Sequence, residues 1–86
     1  MIDREQIRKE LEERFLGFIP EKSDLEMLEE KIEFSEPVIR DLKISVSHAY
    51  GVHQVLLEWL LEEKERTLAR AEISLEILTA KYQKFN

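Results

Sequence analysis

Beyond Pro37 the chain has no further proline, and a single glycine, Gly51, interrupts the residues up to Lys84. As one helix, the 48 residues of 37–84 would span about 72 Å at 1.5 Å per residue. In a chain of 86 residues that stretch dominates every packing solution. The apolar spacing argues for helix on both sides of the glycine. Ile39, Leu42, Val46, Ala49, His53, Leu56 and Leu60 follow alternating steps of three and four, the rhythm of a helical seam. Because the phase survives Gly51, and a glycine inside a helix costs about 1 kcal/mol against alanine, the favoured reading is one long helix, continuous or gently kinked. The alternative is a corner at Gly51 that folds residues 37–50 back on 52–84.

Beyond Leu60 the seam shifts by one residue. Leu57, Leu61, Lys64, Leu68, Ala71, Leu75, Leu78 and Tyr82 keep the same three-four rhythm, with Lys64 the one charged member. The two seams overlap in "VLLEWLL", residues 55–61, where Leu56, Leu57, Trp59, Leu60 and Leu61 point around nearly the whole circumference of a helix. A helix apolar all round is buried all round. Leu56, Trp59 and Leu60 are therefore expected to form a hub covered by the preceding helices or by another copy of the chain.

The first 36 residues divide into two short helices. Asp3 and Gln6 form an N-cap with its capping-box partner ahead of Ile7, Leu11 and Phe15, and Gly17 follows the last apolar turn, which predicts a helix over 4–16. Phe18, Ile19 and Pro20 leave it in an extended turn. Ser23 and Glu26 repeat the capping pattern before Leu25, Leu28 and Ile32, predicting a helix over 24–33. Ser35 then caps a third helix with Pro37 in its first turn, where the missing N–H costs nothing. The expected fold is all-α, one domain over 1–86: two short helices, then one long helix over 37–84, kinked or broken at Gly51 in the alternative, in a helical bundle or coiled-coil assembly.

Such a chain is short of burial, since one of this length hides only about 60 to 65 per cent of its unfolded surface. It has no cysteine, so neither disulfides nor a thiolate metal site supplement the core. Two helices of 10 to 13 residues are too short to cover the last arm. Leu57, Leu61, Leu68, Ala71, Leu75, Leu78 and Tyr82 are therefore expected to pair copies of the chain, making the protein a homo-oligomer.

Charge and motifs narrow the function. The net charge is −6, and residues 1–37 carry all of it, with twelve acids against six bases. An acidic face of Glu12, Glu13, Glu29, Glu30 and Glu33 suits a basic protein partner. Arg66, Arg70, Lys81 and Lys84 on the last arm could touch phosphates, but Glu62, Glu63, Glu65, Glu72 and Glu76 dilute them. Nucleic acid is thus a disfavoured alternative. His48 and His53 are five apart, which misses the i, i+4 pairing of a helical metal site; neither metal nor cofactor is expected. The acidic pairs are what nineteen acids produce by chance, and no glycine-rich phosphate loop is present. An enzyme is not expected. The longest uncharged run, 44–57, falls short of the roughly 20 apolar residues of a membrane span, and the charged N-terminus is unlike a secretory signal. The expectation is a cytoplasmic interaction module, adaptor or inhibitor, or alternatively an accessory factor in nucleic-acid transactions, of a regulator or mobile-element type.

Overall fold

The computed structural model describes residues 2–85 and contains three helices among them, α1 (Arg4–Arg14), α2 (Lys22–His48) and α3 (Gly51–Phe85). The all-α class is as expected, two shorter helices and one long one. The boundaries are not. α2 and α3 divide the chain at Ala49 and Tyr50, so the favoured unbroken helix over 37–84 gives way to a corner, and the expected break at residues 34–36 is absent.

The corner has a local cause. Gly51 has φ +64°, a left-handed conformation that costs a residue with Cβ about 1–2 kcal/mol and glycine almost nothing. Ala49 is already extended, with φ −89° and ψ 160°, so the chain reverses within a few residues. The seam that runs through Gly51 is not one face of the fold. Ile39 is buried and Leu42, Val46 and Ala49 are half-buried along α2, whereas His53, Leu56 and Leu60 are exposed. In α3 the inner face is the second seam: Leu57, Leu61, Leu68, Ala71, Leu75 and Tyr82 are half-buried and Leu78 is buried.

At the other expected boundary, Ser35 caps nothing. Its hydroxyl donates to the Lys31 carbonyl at 2.7 Å, an i−4 back-bond that leaves the helix running. Pro37 lies inside α2. It removes one helical hydrogen bond and costs about 3 kcal/mol, which the packing of α2 along α3 has to offset. α2 also starts earlier than Ser23 implied, because Asp24, not Glu26, reaches back: its carboxylate accepts from the Glu21 N–H at 2.8 Å. At α1 the Asp3 cap is as read, accepting from the Gln6 N–H at 3.1 Å.

The three helices lie in a row. Both α1 and α2 pack on α3 and not on each other. The Cα envelope measures 51 × 23 × 12 Å. The long dimension is α3 itself, and 23 Å is about two interaxial spacings plus one helix width. α1 runs parallel to α3, since Arg4 pairs with Glu72 and Arg8 with Glu76; α2 returns antiparallel through the tight corner. The core is small: Ile7, Ile39, Ala69, Ile73 and Leu78 are the buried apolar residues described. The radius of gyration of 15.5 Å exceeds the roughly 12 Å of a compact chain this long.

Two substitutions should separate the corner from the core in urea unfolding. Ile73, 1 % exposed, changed to Ala is expected to lower stability by about 2–4 kcal/mol through transfer and cavity terms. Gly51→Ala places its Cβ in open space, so its loss of about 1–2 kcal/mol is conformational only. An unchanged midpoint for Gly51→Ala would show that the corner does not need a left-handed residue.

Candidate interaction surface

α1 is fixed to α3 by a short apolar strip bordered by charge. Ile7 forms a cluster with Ala69 and Ile73, and Ile2, Leu11 and Ile77 pack around it. On one border Arg4 and Arg8, one helical turn apart, meet Glu72 and Glu76 with the same spacing; the first pair is at 3.3 Å. Both pairs are largely solvated, so they set the register of α1 more than its stability. At the far end Lys81 donates to the carbonyl of Phe15 and, at 3.3 Å, to that of Phe18. These are carbonyls of the α1 terminus and the linker, where a cation satisfies orphan acceptors and opposes the helix dipole. The Phe15 and Phe18 rings pack tilted at 56° with centroids 5.5 Å apart. The linker thus lies against the C-terminal part of α3 at Lys81.

α1 reaches only the C-terminal half of α3, from about Arg66 to Lys81. The rest of the hairpin is two helices and no more. Here lie the expected hub residues, and they are bare: Leu56, Trp59 and Leu60 are 54, 64 and 43 % exposed. Of the coverings expected for them, neither α1 nor α2 serves, because α1 stops short and α2 takes the face of Leu57 and Leu61. Val52, Val55 and Tyr50 are exposed beside them. Sequence pattern alone identified this turn as apolar all round; that two of its sides stay open within one chain follows from the position of α1.

The residues expected to pair copies are half-buried within the single chain, apart from the buried Leu78. Leu57, Leu61, Leu68, Ala71, Leu75, Leu78 and Tyr82 lie along the inner side of α3, where Leu68 borders a groove with Ile39 and Lys43 of α2. The arm does not project alone, as its spacing suggested, because the corner lays α2 along it. Two parts of the acidic face are also separated. Glu12 and Glu13 are exposed on α1, beside Leu16; Glu29, Glu30 and Glu33 are exposed on α2, with α3 between the two helices.

The four basic residues do not converge. Arg66 and Arg70 border the groove between α3 and α1, together with Gln6, Ile7 and Glu10. Lys81 is engaged with the Phe15 and Phe18 carbonyls, and Lys84 is exposed near the end of α3. Residues 66 and 84 are about 27 Å apart along the axis. Among the described residues no group of three or more His, Cys, Asp or Glu is placed to hold a metal ion, and no helix is long and apolar enough to cross a membrane. No family model, curated protein or solved structure matches this chain.

One contact outside the reach of the sequence reading is that of Lys81, named there only as a possible phosphate contact in the disfavoured nucleic-acid alternative. Its spacing gave no signal, since its acceptors lie 66 and 63 positions away in the chain. Lys81→Met should release the end of α1, raising amide exchange in α1 by about tenfold, the equivalent of one charge-assisted hydrogen bond. Exchange in the middle of α2 should stay unchanged. Equal protection of α1 in both proteins would remove Lys81 as the tether.

Proposed function

We propose that the chain is an oligomerising protein–protein interaction module, adaptor or inhibitor, without catalytic activity. The observation that carries this reading is the open end of the hairpin. Val52, Val55, Leu56, Trp59 and Leu60 lie within nine residues of one helix and are between 43 and 77 % exposed. Large apolar groups gathered this way mark contact with another macromolecule, whereas single exposed ones do not. A tryptophan at the centre fits, since aromatic anchors dominate interface energetics.

The grooves support the same reading. The one between α1 and α3 is lined by Ile7, Glu10, Leu11, Arg14 and Arg70, aliphatic and charged groups with no nucleophile beside a base. The acidic flanks of α1 and α2 would then be the surfaces offered to a second, basic protein, as two separate faces rather than one. The nucleic-acid reading receives less support, because Lys81 is engaged and Arg66 and Arg70 sit beside Glu10.

Light scattering from micromolar to millimolar concentration tests the reading, with a mass above the single-chain 10.3 kDa expected. A single-chain mass throughout would overturn self-association. In parallel, labelled single- and double-stranded DNA and RNA at low salt should remain unbound. Binding that falls steeply with salt and is abolished by Arg66→Glu with Arg70→Glu would replace the module by a nucleic-acid accessory factor.

A further inference from the structure

The face of α3 that receives α1 does not end where α1 ends. Val52, Val55, Trp59, Glu62, Arg66, Ala69, Ile73 and Ile77 follow steps of 3, 4, 3, 4, 3, 4 and 4, so they lie along one side of the helix. Ala69, Ile73 and Ile77 pack with Ile7 and Leu11 of α1, and Arg66 borders the same groove. Further along, Val52, Val55 and Trp59 are 77, 63 and 64 % exposed. The C-terminal half of the stripe is covered by a helix of the same chain, whereas its N-terminal half opens with the uncovered Val52, Val55 and Trp59 and ends in the charged Glu62 and Arg66.

From the pattern we infer that a second copy of this chain occupies the open half, its α3 lying antiparallel to the first and in line with α1, with the two-fold axis beside Trp59. This inference rests on the self-association reading and adds the surface and the orientation. Length supports it. The uncovered part of α3, residues 51–65, is about 22 Å long. In an antiparallel pair about Trp59, Val52 of one copy lies opposite Arg66 of the other, so the overlap runs from the corner to the point where α1 begins. The α1 side of α3 would then be covered from end to end, half by its own α1 and half by the other copy.

The area is that of a weak contact. Val52, Val55 and Trp59, the apolar stripe residues of the open half, expose on the order of 100 Å² each. Two copies together would bury roughly 600 Å² of it, the size of a weak, concentration-dependent association. An isologous contact of this kind closes at two and leaves no apolar half unpaired.

The protein has one tryptophan, at the inferred axis, and no cysteine, which makes the test clean. Emission from Trp59 should shift to shorter wavelength with concentration, in step with the rise in mass. Trp59→Glu should weaken association at least about 30-fold while leaving the helical circular dichroism of the chain intact. For orientation, a mixture of Val52→Cys and Arg66→Cys proteins should form the mixed disulfide on oxidation, and Val52→Cys alone should not cross-link. Homotypic cross-linking of Val52→Cys would overturn the antiparallel pair. A rise in mass with Trp59 emission unchanged would overturn the stripe as the interface and leave self-association standing. Single-chain mass at every concentration would overturn both.

Discussion

Everything in this molecule is arranged around α3, because it is the one element that both other helices touch. α2 lies against its inner seam and α1 against another face. With a different neighbour on each of two faces, α3 can be well covered only where both are present. Residues 66–81 meet that condition, and Ala69, Ile73, Ser74 and Leu78, the buried positions of α3, all fall there. Towards the corner only α2 remains, and the apolar residues of α3 on every other side face outwards.

A row of helices is one layer, whereas a stable domain is ordinarily two layers around a common core. The consequence is visible in the buried set, which contains five apolar residues in the described chain. Folding of a chain with so little interior depends on economical connections. The corner at Ala49 and Tyr50 closes the α2–α3 hairpin at minimal loop entropy, and Lys81 ties the α1 end to α3. The exposed stripe and the thin core have one origin: α1 is less than a third of the length of α3, 11 residues against 35.

Legibility in the sequence followed the range of the interactions. The Asp3 cap and Gly17, with φ +75°, act within a few residues, and each was readable from its own neighbourhood. The apolar turn at 55–61 was readable for the same reason. Ser35 and Pro37 misled because the same two residues that start a helix can also be carried inside one when packing is strong enough. Gly51 misled differently. Its seam kept phase across the break because the apolar periods of two helices in a hairpin are independent, and here they happened to join in register. Lys81 and the Arg4–Glu72 and Arg8–Glu76 pairs were out of reach, since each links residues more than sixty positions apart.

The sequence by itself determined that the chain is helical, where α1 begins, and that the turn around Trp59 is apolar on nearly all sides. Those are consequences of propensity, capping and periodicity, which act over one or two turns. The tertiary structure decided which apolar side is used inside the chain and which stays exposed. The seam of Leu57, Leu61, Leu68 and Leu75 goes to α2, because a left-handed glycine lets the chain turn back. The stripe of Val52, Val55 and Trp59 stays open, because α1 is too short to reach it.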